Sequence, residues 1–426
     1  DLRRYRFKTL LIQGVTLCRH YFIYESQFFR AISTLFLFRM DLWVSIQNQT
    51  SVAMLLTKHL LSNEAKKSNC VFSPLSICTV LSLVASGSKG STRSQLLSFL
   101  KSDSTQSLAS FASHIESTVL TDGSPSGGPK LSSATRLWIQ NSFSLKPSFK
   151  HVIETSYKAS SAVADFINKH DEAISEVNSW VKKKTNGLIK EILPADSVNS
   201  LTRLILANAL YFKGIWKSKF DAEDTEDGNF NLLDGSVIRV PFMTSNKKQY
   251  VSSHDGYKVL RLPYDQGNDG RKFSMYIMLP NAKDGLPSFI RSLSEAQFML
   301  KNVAQRQVEV GDFKIPRFRI TYELEASEML KRMKLTLPFS QEADFSEMVC
   351  DRNIFVSKIL HKSFIEVNEE GTEAAAASAV IMQMTSSMIS NKMDFVADHP
   401  FLFLVREDNS ELVLFSGQIV NPSQSS

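Results

Sequence analysis

Glu369-Glu370-Gly371-Thr372-Glu373-Ala374-Ala375-Ala376-Ala377-Ser378-Ala379-Val380-Ile381-Met382-Gln383-Met384-Thr385-Ser386-Ser387-Met388-Ile389-Ser390-Asn391-Lys392-Met393-Asp394 carries no charge between Glu373 and Lys392, and no Gly or Pro after Gly371. Beyond Glu373 its residues are small, then apolar, then polar. Such a composition is stable in water, in a helix or in a sheet, and so suits a segment that changes state. Helix propensity favours a helix over Thr372 to Met384, because Ala and Met are strong helix formers. The run is long enough to span a bilayer, but Ser, Thr, Gln and Asn fill much of it.

The parity of the run gives a second reading. In a strand, alternate side chains share a face. Thr372, Ala374, Ala376, Ser378, Val380 and Met382 fall on one face and carry no charge. Glu373, Ala375, Ala377, Ala379, Ile381 and Gln383 fall on the other, with the single carboxylate. The first face could slide between two existing strands without overpacking them or stranding an ion.

Glu369 to Ser378 resembles the hinge of a serpin reactive-centre loop, and its wording is closest to plant members. Further motifs resemble the family in order along about 380 residues, from Met40 to Pro422. They are Asn69-Cys70-Val71-Phe72-Ser73-Pro74-Leu75-Ser76, Asn178-Ser179-Trp180-Val181 with Thr185-Asn186-Gly187-Leu188-Ile189, and Ala207-Asn208-Ala209-Leu210-Tyr211-Phe212-Lys213-Gly214-Ile215-Trp216. Ala397-Asp398-His399-Pro400-Phe401 and Leu414-Phe415-Ser416-Gly417 complete the series.

The resemblance implies an α+β serpin-like fold: a large central β-sheet, two smaller sheets, about nine helices and an exposed loop over residues 369–394. It places Glu369, Glu370, Gly371, Thr372, Glu373, Ala374, Ala375, Ala376 and Ala377 in the hinge. Ser73, Ser76, Asn208 and His361 match the polar cluster beneath the sheet, the shutter, although an ordinary satisfied core cluster is the plainer alternative. Trp216 and Arg317 match the breach, where the loop enters, with Glu369 and Arg317 at the positions of an ion pair. The implied activity is irreversible inhibition by cleavage, acyl-enzyme trapping and strand insertion, a known instance of strand addition and strain release.

Two readings of the scissile bond stay open. Counting forward from Gly371 puts Thr385 before the cut and Ser386 after it; counting back from Asp394 puts Met384 before it. The loop is one residue short of the family spacing. Neither reading offers Lys or Arg, which disfavours trypsin-like targets. Met384 suits a chymotrypsin-like or elastase-like pocket. With Thr385 there, Met384 could fill the neighbouring apolar pocket of a papain-like cysteine protease. The alternative function is that of a non-inhibitory serpin, a carrier, chaperone or storage protein, but such members often hold bulky or charged residues where this chain has Thr372 and Ala374 to Ala377. Catalysis finds no support: there is no G-x-S-x-G elbow, H-E-x-x-H or phosphate-binding Gly loop.

The 426 residues, 43% hydrophobic and 22% charged with 29 Phe, suit one large soluble domain. The net charge of +6 is misleading. Residues 1–40 hold seven basic and two acidic groups, so the remainder is nearly neutral and exerts no global pull on nucleic acid or acidic membranes. Lys182-Lys183-Lys184 reads as a solvated helix face. Four cysteines (Cys18, Cys70, Cys78 and Cys350) are too few for a disulfide framework and lack zinc spacing, so a reducing compartment is expected. That favours a cytoplasmic or nucleocytoplasmic protein, with extracellular as the alternative; the Asn48-Gln49-Thr50 sequon matters only there. No metal or cofactor is implied, and the expected partner of a monomer is a target protease.

Residues 1–39 are basic, aromatic-rich and lack a signal-peptide core. They are expected to be an extension outside the fold, a gene-model artefact or a targeting segment, with one domain over 40–426. Within it, Val52, Leu55, Leu56 and Leu60 form a helical stripe, and Val177, Trp180, Val181 and Leu188 another. Ser73-Pro74 opens a helix that Gly87 ends. Leu204 to Phe212 reads as a buried strand, and Asp234-Gly235 as a hairpin turn between Phe230–Leu233 and Val237–Phe242. Lys272 to Leu279 and Gln305 to Ile320, the latter bent at Gly311 or Pro316, are further strands. Phe401 to Arg406 and Leu412 to Val420 form a last hairpin.

Overall fold

The computed structural model describes residues 40–185, 187, 190–195, 197–298, 305–350, 354–372 and 392–424. The chain divides into two units, Asp1–Gln47 and Asn48–Ser426. In the first, residues 40–47 are helical; residues 1–39, read above as an extension, lie outside the described residues.

The second unit holds every described strand: β1 (Cys70–Phe72), β2 (Lys130–Gln140), β3 (Ser160–Ala164), β4 (Leu204–Ile215), β5 (Glu226–Asn231), β6 (Val237–Thr244), β7 (Tyr250–His254), β8 (Tyr257–Pro263), β9 (Phe273–Pro280), β10 (Val310–Pro316), β11 (Phe318–Glu325), β12 (Lys358–Val367), β13 (Gly371–Thr372), β14 (Met393–Val396), β15 (Phe401–Glu407) and β16 (Leu412–Ile419). Its helices are α1 (48–59), α2 (Pro74–Ser86), α3 (Gly90–Phe99), α4 (Thr105–Thr118), α5 (Pro147–Ser156), α6 (His170–Lys184), α7 (Leu286–Ser292), α8 (Glu295–Phe298) and α9 (Ala326–Arg332).

Three sheets organise these elements. The central one runs β11-β12-β13-β4-β2-β3; a second six-stranded sheet runs β1-β16-β15-β9-β8-β7; a four-stranded sheet runs β14-β10-β6-β5. The main core combines Leu204, Leu206, Leu324 and Ile359 of the central sheet with Tyr276, Met278, Leu402 and Leu404 of the second. Helix α2 belongs to the same core and is buried along almost its whole length. It therefore shows no amphipathic stripe, as befits a helix covered on every side. Ser73 caps it, its Oγ accepting from the Ser76 N–H at 3.1 Å, and Gly87 follows its end where a Cβ would crowd Met348.

The other face of the central sheet is covered by α6. Ala173, Val177, Trp180 and Val181 pack on Trp138, Ile205, Ala207 and Leu360, with Trp138 and Trp180 edge to face at 5.3 Å. Strand β4 thus buries alternate residues in two separate cores. That is why its sequence is a continuous apolar run rather than an alternating one. The bend predicted within Gln305 to Ile320 falls at Pro316-Arg317, and the Asp234-Gly235 turn closes β5 on β6 with Gly235 at φ +83°.

Candidate functional site: the opening in the central sheet

Strands β12 and β4 diverge along their length. At one end they pair directly and in parallel, Lys358 with Ile205 through His361 with Asn208 to Lys362 with Ala209. At the other end β13 stands between them, antiparallel to both. Gly371 faces Ile215, and Thr372 faces Gly214 on one side and Val367 on the other. The hinge thus begins as a two-residue wedge, and the helical reading fails at Thr372, which is 1% exposed and lies in a strand. A Cβ on Gly371 would run into the Gly214 carbonyl oxygen, and Gly371 sits at φ +156°, so only glycine fits that approach. Glu373, Ala374, Ala375, Ala376, Ala377, Met384, Thr385 and Ser386 lie outside the described residues.

A tight turn leads into the wedge. The Asn368 N–H donates to the Gly371 carbonyl at 3.1 Å, while Asn368 Oδ1 accepts from the N–H groups of Glu370 and Gly371 at 3.1 and 3.2 Å. Trp216 grips the outside of this turn, donating from Nε1 to the Asn368 carbonyl at 2.9 Å and from its backbone N–H to that of Glu370 at 2.8 Å. The expected ion pair is present: Arg317 Nη1 lies 3.4 Å from Glu369 Oε1, which also accepts from Thr225 Oγ1 at 2.7 Å. Glu370 pairs with Lys219 at 2.5 Å.

Beneath Thr372 lies Tyr264, a residue the sequence reading missed. Its hydroxyl is 2.7 Å from Thr372 Oγ1, and its ring stacks on Trp216 at 4.6 Å and 17° and meets Phe212 edge-on at 4.9 Å. Burial pushes the phenol well above its ordinary range, so it keeps its proton. Tyr264 follows β8, a strand the sequence analysis did not single out, and its partner Thr372 lies more than 100 positions away.

The shutter residues come together at the closed end. His361 Nε2 accepts from the Ser73 N–H at 2.8 Å and from the Ser363 hydroxyl at 2.7 Å. Two donors on Nε2 leave the proton on Nδ1, which reaches toward the Asn208 backbone without full hydrogen-bond geometry. Burial lowers the imidazole from 6.5 to about 4, so it is neutral at physiological pH. Asn208 Nδ2 donates to Thr135 Oγ1 at 2.9 Å. Ser76 contributes only its backbone N–H, to Ser73. Thr135 and Ser363 were absent from the predicted cluster; each is a hydroxyl within a strand, Thr135 near Ser132 and Ser133, with no local signal of its partner.

The far foot of the segment is also fixed. Strand β14 pairs in parallel with β10, Phe395 beside Phe313, and Lys258 Nζ donates to the Asp394 carbonyl at 2.8 Å. Elsewhere, the sequon lies in a helix with Gln49 and Thr50 buried. Cys70 and Cys78 are buried free thiols and Cys350 an exposed one. Among the described residues no group of His, Cys, Asp and Glu could hold a metal, and no helix is long and apolar enough to cross a membrane.

Comparison with known proteins agrees with this geometry. The family model described as "Serpin (serine protease inhibitor)" matches residues 47–422. Serpin-ZX of Arabidopsis thaliana is 53% identical over 389 residues, covering 90% of this chain and 100% of that protein. Serpin-ZXA of Oryza sativa subsp. japonica is 52% identical, covering 90% and 98%. The solved structure of Arabidopsis AtSerpin1, described as its native stressed conformation, superposes with a TM-score of 0.82 at 51% identity, over 90% of this chain and 99% of that one. The chain belongs to the serpin family, and within it to the plant Z type. The family is one of serine protease inhibitors, and its members are generally not enzymes.

Proposed function

We propose that this protein is a suicide-substrate protease inhibitor that traps its target by drawing the cleaved loop into the central sheet. One observation carries the reading. His361 stands 153 positions after Asn208, its present neighbour, and Val367 stands the same 153 after Gly214, the two residues that flank Thr372. The wedge and the closed end share one register, so a strand can advance between β12 and β4 without either sliding lengthwise.

Continuing that register assigns each residue of the run a place. Ala374 would enter between Phe212 and Ile365, and Ala376 between Leu210 and Ser363, where the bulk of Phe212, Ile365 and Leu210 favours a small side chain. Ser378 would arrive between Asn208 and His361, offering a hydroxyl to the polar groups it parts. Val380 would follow between Leu206 and Ile359, both in the main core. Glu373, on the opposite face, would stand beside Lys213 and Glu366.

In this mechanism the intact fold is metastable and the loop is bait. A protease attacks a loop carbonyl and forms an acyl-enzyme. Cleavage frees the hinge side of the loop to advance and carry the tethered enzyme with it. Displacement of catalytic groups by about 1 Å already costs a large part of the rate, so the ester outlives its hydrolysis. Met384 or Thr385 precedes the cut, and the target is a chymotrypsin-like, elastase-like or papain-like protease. The non-inhibitory alternative keeps the fold without the advance, and the uncharged face speaks against it. Residues 1–39 stand outside the domain in this reading, and the free thiols support a cytoplasmic or nucleocytoplasmic location over an extracellular one.

The test mixes the protein with one protease of each class and looks for a complex that survives denaturing electrophoresis. Melting before and after cleavage within residues 382–388 is the second arm. An inserted strand that adds about 5 kcal/mol to a domain of this size would raise Tm by roughly 6 °C. A clipped form that melts no higher than the intact one ends the proposal.

A further inference from the structure

The geometry points to Tyr264 as a positioning residue, whose hydroxyl pins Thr372 and so sets the register in which the loop advances; this rests on the inhibitory reading above. The pin is built rather than incidental. Tyr264 is 3% exposed and held on two sides by Trp216 and Phe212. Gly214, directly opposite Thr372, is where a Cβ would meet the Tyr264 ring at 2.6 Å, so the glycine leaves the ring its place under the wedge. Among the described residues Tyr264 is the sole hydrogen-bond partner of Thr372 Oγ1.

A pin is needed because a two-residue strand is weakly registered. Its side-chain period is two, so a slip of one position exchanges the faces of everything that follows. Here that slip would turn the Glu373 carboxylate toward the main core, where an unpaired charge is costly to bury, and would turn the uncharged face outward. A slip of two keeps the faces but moves Ser378 away from Asn208 and His361. A hydroxyl pair at the first inserted residue fixes the starting position against both. Thr372 is then more than a small residue: valine has its shape without the bond, and serine has the bond with less bulk.

The experiment compares Tyr264→Phe, Thr372→Val, Thr372→Ser and the Tyr264→Phe/Thr372→Val double variant. The first reading is the number of inhibitor molecules consumed per protease trapped, using whichever protease the unmodified chain traps. Tyr264→Phe and Thr372→Val should each raise it about threefold or more, Thr372→Ser should leave it near the starting value, and the double variant should be no worse than either single one. The second reading is amide hydrogen exchange of the intact protein over residues 368–372, expected to quicken about tenfold in Tyr264→Phe. Melting of each intact variant checks that it folds. Unchanged stoichiometry in Tyr264→Phe, or a Thr372→Ser variant as impaired as Thr372→Val, overturns the proposal. If the unmodified chain traps nothing, the inhibitory reading has failed, and exchange alone decides the pin: unchanged exchange rejects it.

Discussion

The two ends of the gap between β12 and β4 are held by different chemistry. At the open end the wedge rests on backbone hydrogen bonds, stacked aromatic rings and ion pairs at a partly exposed rim. At the closed end two strands pair directly over a buried polar cluster of His361, Ser73, Ser363, Asn208 and Thr135. The open end already holds the two residues of β13 and, on the proposed mechanism, would admit more of the strand while resisting a change of register. The closed end resists parting, yet its polar groups can exchange partners, whereas a wholly apolar seam would offer an incoming Ser378 no partner. In the proposed mechanism the threshold for advance would therefore lie at the closed end, and accuracy at the open one.

The largest expected effect that would test this contrast is at the wedge. Thr372→Arg puts a guanidinium into a slot that is 1% exposed and faces the main core. Removing such a charge from water costs several kcal/mol. The variant should still fold, with the wedge expelled from the slot it fills between Gly214 and Val367 and a lower Tm for the intact form, and should form no gel-stable complex. A persisting complex would show that the loop advances without this slot.

Next comes the closed end under acid. The folded state holds His361 neutral, while the unfolded chain takes up a proton below about pH 6.5. Stability present at neutral pH is therefore lost as pH falls from 6.5 toward about 4, by up to about 3 kcal/mol. Urea midpoints across that range should fall, and the slope should flatten in His361→Gln. An equal slope in that variant would remove His361 from the account. Asn208→Ala, which strips the donor from Thr135, should cost about 1–2 kcal/mol by denaturant titration at neutral pH. No loss of stability would mean that Asn208 does not help hold the strands together.

The smallest effect is at the rim. Arg317→Ala breaks an ion pair whose cation is half exposed, and Glu369 keeps its bond from Thr225. A change of about 0–1 kcal/mol is expected. A larger loss would make the rim, not the buried cluster, the stronger hold on the sheet.

Much of the fold could be read from local pattern because local pattern caused it. Ser73-Pro74 and Gly87 bound α2, Asp234-Gly235 closes a hairpin, and the unbroken apolar run of β4 reflects two covered faces. Strands β2 and β12 escaped notice because Ser132, Ser133, Thr135 and Arg136 in one, and His361, Lys362 and Ser363 in the other, interrupt any apolar rhythm. Of these, Thr135, His361 and Ser363 build the polar cluster at the closed end. The hinge was legible as an uncharged face, and Thr372 lies on the side that parity assigned to it. Tyr264, Thr225 and Lys219 were not legible, since each acts through a partner more than 100 positions away. No periodicity encodes such a meeting.

Trp216 has one more consequence. Its indole is 2% exposed, lies flat on a phenol and donates its N–H to the carbonyl at the root of the hinge. The emission colour and lifetime of an indole follow its solvation and its neighbours. This side chain is thus a native optical probe fixed at the starting point of the proposed movement. Stopped-flow mixing with a protease could follow the departure of the loop through this built-in fluorophore, with no label attached.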